Sequence, residues 1–112
     1  MEKIKSVYII WHEYHDTFPK TQRYSLGNHI DRVFIDLIEV VSVATFLPQI
    51  EKLPYVRIAI RKLDLIKILL LVSWETKSLG NKKYIVLSTP LDEIGRMLGG
   101  WYGKLNKENS PD

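Results

Sequence analysis

Arg57 and Arg61 are four residues apart, with Lys62 beside the second. On a helix that spacing lines cations along one face. Lys20 and Arg23 share a face in the same way, and Arg32 follows further along that stretch. Cations so spaced neutralise successive phosphates of a polyanion without reading its sequence. Trp11, Tyr14, Tyr24 and Tyr102 supply rings on which bases can stack. The competing assignment is a solvated face on which Asp31, Asp64 and Glu75 neutralise these cations within the chain. Self-association favours the nucleic-acid assignment, because an assembly repeats each patch and affinity grows with the number of phosphates met.

Other chemistry is scarce. His12-Glu13-Tyr14-His15-Asp16 is the only run of metal-ligand types. Two histidines three apart can face the same way, but zinc needs three or four converging ligands, and a third would have to come from elsewhere, such as His29. The run therefore reads as a polar helix end, and no metal or cofactor is assigned. The side chains of Asp92 and Glu93 diverge by about 100° on a helix. They read as favourable negative charge near a helix start, not as a catalytic pair. No nucleophile elbow, phosphate-binding loop or dinucleotide fingerprint is present. The absence of cysteine excludes disulfides, a thiolate nucleophile and cysteine-based zinc sites. The expectation is a protein that is not an enzyme.

The elements that must position the cations follow from pattern. With 46% hydrophobic and 26% charged residues in 112, the chain should form one globular domain, placed at residues 1–103. Residues 104–112 read as a polar, frayed tail. A net charge of +3 is compatible with a polyanionic partner without demanding one. Met1-Glu2-Lys3-Ile4-Lys5 opens an amphipathic pattern and not a signal peptide. The strongest apolar run, Leu65 to Trp74, is interrupted by Lys67 and too short to span a bilayer. Cytoplasmic localisation, with no membrane partner, is expected.

Ile4, Val7, Tyr8, Trp11 and Tyr14 repeat at three and four, as one helical face does. Asp16 or Thr17 can cap a second helix, with Pro19 in its first turn. In that helix Leu26, Ile30, Val33, Leu37, Val40, Ala44 and Leu47 keep a 4-3 spacing, the seam of shallow-angle bundle packing. Pro48 and Pro54 bracket the next break, and a third helix is expected from about Pro54 to Leu79. Its apolar residues surround all but a narrow strip of Arg57, Arg61, Asp64 and Glu75, so it must be buried on more than one side. Gly80-Asn81 ends it. Pro90 should kink the fourth helix or delay its start. Short connections make neighbours antiparallel, giving an all-α, up-down-up-down four-helix bundle. The excess apolar surface of the third helix argues for a homo-oligomer.

Two features qualify this reading. Glu39 to Thr45 and Tyr84 to Leu87 have strand composition, which keeps an α+β fold as an alternative. Gly95, Gly99 and Gly103 recur every fourth residue of the last helix, on a different stripe from Leu91, Ile94, Leu98, Trp101 and Leu105. Glycine weakens a helix interior by about 1 kcal/mol. Three on one face are expected to let a neighbouring backbone pass close; the alternative is that Gly99-Gly100 frays the helix.

Trp11, Phe18-Pro19-Lys20, Arg23 and Leu26-Gly27 resemble the opening signature of Avd-like four-helix-bundle proteins. Ile94-Gly95-Arg96-Met97-Leu98-Gly99-Gly100-Trp101 resembles their closing signature. The likeness covers roughly residues 8 to 102. The opening signature is shared with the related proteins encoded in 23S ribosomal RNA intervening sequences. Avd is the accessory variability protein of diversity-generating retroelements. The resemblance implies a pentameric barrel of bundles with a basic surface, bound to the element's reverse transcriptase and template RNA in support of mutagenic cDNA synthesis. Lys20, Arg23 and Arg96 match the motifs, while Arg32, Arg57, Arg61 and Lys62 come from the helix reading. Gly27, Gly95, Gly99, Gly100 and Trp101 fall in the motifs as structural, close-packing positions. The alternative is a protein-interaction scaffold of the intervening-sequence type, with no essential nucleic-acid contact.

Overall fold

The computed structural model describes residues 1–109, and among these it is all-α, with no strand. Helix α1 is Glu2–His15. Helix α2 is one continuous run made of Lys20–Gln22, a π turn at Arg23–Gly27 and Asn28–Phe46. Helix α3 is Gln49–Glu75 and α4 is Asn81–Glu108. Helix α3 packs between α2 and α4, and α1 closes the bundle against α4 and α2. The molecule is a rod of 52 × 20 × 20 Å. Glu39 to Thr45 and Tyr84 to Leu87 are helical despite their composition. Their neighbours return to the core every three or four residues, and only a helix buries that pattern.

The core is assembled from Ile4, Val7 and Trp11 of α1, Ile30, Phe34 and Leu37 of α2, Leu63, Ile66 and Leu70 of α3, and Leu87, Leu91 and Ile94 of α4. Along α2 the seam is only partly the expected one. Ile30, Val33, Leu37 and Ala44 are buried, whereas Leu26, Val40 and Leu47 are half-buried. Phe34 and Val41 are buried beside them. A straight α-helix drifts about 20° per heptad from a strict seven-residue repeat, so the buried stripe moves from position 40 to 41. The π turn, which contains Leu26, adds a further phase shift there.

Pro54 and Pro90 both lie inside helices. Pro48 is the N-cap of α3, so the break is confined to Leu47-Pro48 and the helix begins five residues before Pro54. Lys52 Nζ donates to the carbonyls of Ala44 (2.7 Å) and Thr45 (3.1 Å), capping the end of α2 with a cation. Helix α4 begins at Asn81, so Pro90 does not delay its start. Proline in a helix interior costs about 3 kcal/mol. Leu87, Leu91 and Ile94, all buried around Pro90, hold the helix through that penalty. The early start also carries Asp92 and Glu93 out of the first turn. They pair across the bundle, Asp92 with Lys67 at 3.1 Å and Glu93 with Lys3 at 2.7 Å.

Helix α3 stops at Glu75, before the expected Leu79. Lys77 takes φ 66°, the Ser78 amide donates to the Ser73 carbonyl (2.8 Å) and the Lys77 amide to Trp74 (3.0 Å), which is a Schellman motif. Neither Asp16 nor Thr17 caps α2. Pro19 is its N-cap, and Thr17 Oγ1 donates back to the Tyr14 carbonyl at 2.7 Å. At the other end, Lys104 to Glu108 continue α4, because Leu105 is buried against Ala44 and Val56. Of the polar tail, residues 110–112 lie outside the described residues.

The four helices differ in length. At 1.5 Å per residue, the 14 residues of α1 span roughly 21 Å and the 27 of α3 roughly 40 Å. The half of the rod beyond Met1 is therefore built from three helices. The apolar excess of α3 faces solvent at Ile58, Ile68, Leu71 and Val72, and Phe46 of α2 is 87% exposed. No helix among the described residues is long and apolar enough to cross a membrane.

Candidate nucleic-acid interface

The seven cations singled out from sequence are spread over three helices. Arg57, Arg61 and Lys62 ride on α3, Arg32 on α2 and Arg96 on α4, while Lys20 and Arg23 belong to the end of the rod where α2 begins. Lys20, Arg32, Arg61 and Arg96 are exposed and have no carboxylate within ion-pair distance among the described residues. Arg57 is also exposed. Its guanidinium donates to the Tyr102 hydroxyl at 3.3 Å and lies 5.7 Å from the centre of that ring. This pairing places Tyr102 beside a cation, as its ring chemistry suggested.

Two of the cations are already employed. Lys62 pairs with Asp36 across α2 and α3 at 3.5 Å. Arg23 donates from Nη2 to the carbonyls of Asp16 (2.9 Å) and Phe18 (3.2 Å), and its Nε is buried without a partner. Arg23 thus ties the α1–α2 connection to the π turn. Its motif position is explained by that strut as fully as by phosphate binding.

The expected neutralising carboxylates behave differently from one another. Asp31 accepts from Tyr8 OH (2.9 Å) and Trp11 Nε1 (3.2 Å), so it serves the aromatic core and not the cations. Burial, followed by the hydrogen bond and the negative charge of Asp31, pushes the Tyr8 phenol up to about 12. Asp64 and Glu75 are exposed and pair with none of these cations. Trp11 is 0% exposed, which removes it from base stacking. It stacks on His15 at 5.2 Å and on Phe34 at 5.9 Å. Tyr24 is 65% exposed, whereas Tyr14 is half-buried with Lys83 Nζ 5.2 Å from its ring centre.

His15 Nε2 lies 3.4 Å from the Arg23 carbonyl, and the ring packs on Gly27, while His12 and His29 are exposed. Among the described residues no three His, Cys, Asp or Glu side chains converge as a metal site does. The glycines divide sharply. A β-carbon on Gly27 would lie 2.7 Å from His15 Cδ2, so the close approach expected of a motif glycine is real there. Gly95 has ordinary room, with Leu63 Cδ2 at 3.5 Å. Nothing in the protomer comes within 4 Å of a β-carbon on Gly99, Gly100 or Gly103. No neighbouring backbone crosses that face inside the bundle, and the helix does not fray there either, since it runs on to Glu108. Trp101 is half-buried, with Lys52 Nζ 5.9 Å from its ring centre.

Sequence reasoning missed the end of the rod where α3 turns into α4. Trp74 and Tyr84 stack there at 5.6 Å and 23°, Lys77 lines the same depression as Trp74, and exposed Lys82 follows Asn81 in the chain. The signal was present in Lys82-Lys83-Tyr84, directly after Gly80-Asn81, but Trp74 closes the apolar run from Leu65 and reads as core, whereas it is 39% exposed.

A protein-family model described as bAvd-like matches residues 1–105. No curated protein and no solved structure matches the chain.

Proposed function

The chain belongs to the bAvd-like family, and on that premise we propose that it is a non-enzymatic accessory protein of a diversity-generating retroelement. It binds template RNA and nascent cDNA, together with the reverse transcriptase, in the cytoplasm. The family match over residues 1–105 is the observation that carries this reading. The chain's own features support it. Lys20, Arg32, Arg57, Arg61 and Arg96 are exposed and unpaired with carboxylates among the described residues. A homopentameric barrel would multiply each of them, and the exposed apolar residues of α3 offer a surface for such assembly. The cations hold the phosphate backbone without sequence readout while the assembled surface docks the polymerase.

The test is binding of labelled single-stranded RNA across a salt series, on protein freed of copurifying nucleic acid. Each phosphate contact contributes about 0.7 to the slope of log affinity against log salt for single strands. Arg57→Glu with Arg61→Glu should therefore lower the slope by about 1.4 per engaged protomer. An unchanged slope and affinity would remove the α3 cations from the interface. A second reading rests on the same exposed Ile58, Ile68, Leu71 and Val72. In it the protein is a helical protein-interaction scaffold without essential nucleic-acid contact, and RNA fails to bind even at low salt.

A further inference from the structure

We propose that Trp74, held against Tyr84 at the α3–α4 turn, is a base-stacking site for single-stranded nucleic acid, with Lys77 and Lys82 holding the flanking phosphates. The inference rests on the nucleic-acid reading above and assigns it residues that neither the sequence motifs nor the α3 cations include.

Four observations carry it. Trp74 is 39% exposed although its neighbour Ser73 is fully buried, so a large flat ring is presented to solvent at the edge of the core. That ring is fixed from two sides: Nε1 donates to Asn81 Oδ1 at 2.5 Å, and Tyr84 stacks on it at 5.6 Å. A ring already immobilised loses little freedom when a base settles on it. Trp74 and Asn81 also line two adjoining surface depressions, of about 580 and 370 Å³. Both are wide open to solvent, so they offer a platform for a flat ring and not an enclosing pocket. Ile85, 59% exposed, extends the apolar floor of the smaller one.

The charge around the ring selects the partner. Lys77 and Lys82 are exposed and have no carboxylate within ion-pair distance among the described residues. Glu75 is the single carboxylate lining the larger depression. Lys83 is turned away, donating to Thr17 Oγ1 at 2.9 Å. Lys77 lines the larger depression with Trp74, and Lys82 follows its lining residue Asn81 in the chain, so a base stacked on the ring has a cation for the phosphate on each side.

The test compares two labelled single strands of equal length and charge at low salt, a uridine homopolymer and an abasic ribose-phosphate strand, on the full-length protein. The wild type should bind the base-bearing strand roughly tenfold more tightly, the scale of one stacked base. Trp74→Ala should abolish that preference while abasic binding is retained, and Trp74→Phe should restore part of it. Lys77→Glu with Lys82→Glu should weaken both strands. Equal binding of the two strands by the wild type would overturn the stacking site and leave the polyanion reading standing. No binding of either strand would remove both. A preference that survives Trp74→Ala would place the base elsewhere. Oligoglutamate bound with the same dependence on Trp74 would reassign the site to an acidic peptide.

Discussion

Replacing Gly27 by alanine should destabilise the protein, against the usual sign for a glycine inside a helix. Gly→Ala in a helix interior ordinarily stabilises by about 1 kcal/mol. At Gly27 the new methyl carbon would sit 2.7 and 2.8 Å from His15 Cδ2 and Nε2, and 3.4 Å from Phe18 Cδ2. The imidazole must give way, and it cannot do so without disturbing its stack on the fully buried Trp11. Overpacking of this kind costs about 1–3 kcal/mol. Set against the helix gain, the net loss should be about 1 kcal/mol. His15→Ala empties the space, and in that background Gly27→Ala should stabilise by about 1 kcal/mol. The coupling between the two positions is therefore about 2 kcal/mol, within the range for residues in contact. Urea denaturation followed by helical circular dichroism on the four proteins of this cycle measures it. Gly99→Ala is the internal control, since nothing in the protomer lies within 4 Å of its β-carbon, and it should raise stability by 0.5–1 kcal/mol or so. If Gly27→Ala raised the urea midpoint as much as Gly99→Ala, or acted identically with and without His15, the contact with His15 would have no energetic meaning.

Other perturbations test other parts of the same end of the rod. Lys77→Gly relieves the left-handed backbone of the Schellman turn and should stabilise by about 1 kcal/mol, read as a higher melting temperature; no rise would mean the turn is unstrained. Asp31→Ala strands two donors, Trp11 Nε1 and Tyr8 OH, and should destabilise by about 1–3 kcal/mol for each donor left unsatisfied. The same variant should bring the Tyr8 ionisation down toward the ordinary 10, seen in an ultraviolet titration of the phenols. The Tyr8 pKa is raised in the folded state, to about 12, so its stabilising contribution is complete below pH 10 and disappears as pH climbs from there toward 12. A wild-type stability profile flat through that window, after allowance for the other tyrosines, would contradict the Tyr8–Asp31 pairing.

The helices were legible because their apolar spacing is an averaged property of many residues. Ile30, Val33, Leu37 and Ala44 announce α2 together, and no single exception cancels them. The boundaries were not legible, because each turns on one local penalty against a long-range gain. Pro54 and Pro90 look like breaks in sequence, yet Pro90 is carried by burial on both sides and Pro54 by buried Val56 and Ala59 after it. For the site, the cations of α3 could be found by spacing, and Arg57 and Arg61 are indeed at the surface. What spacing cannot give is the partner. That Asp31 serves Tyr8 and Trp11, that Arg23 serves two carbonyls, and that Trp74 stacks on Tyr84 are all consequences of how helices meet. Gly27 and Gly99 are alike in sequence and opposite in surroundings for the same reason.

The short first helix has a consequence for how the bundle is made and unmade. Helices α2, α3 and α4 meet their neighbours through connections of a few residues, so their contacts form with little loop-closure entropy. Helix α1 also reaches across to α4, where Lys3 meets Glu93 from 90 residues away. That closure is the slowest to search for, and it is secured by a helix half the length of its partners, with only Ile4, Val7 and Trp11 fully inserted. The last piece to dock is then also the first to lift: amide protons of α1 should exchange with deuterium ahead of those in the middle of α3, through a partial opening in which the three long helices stay together.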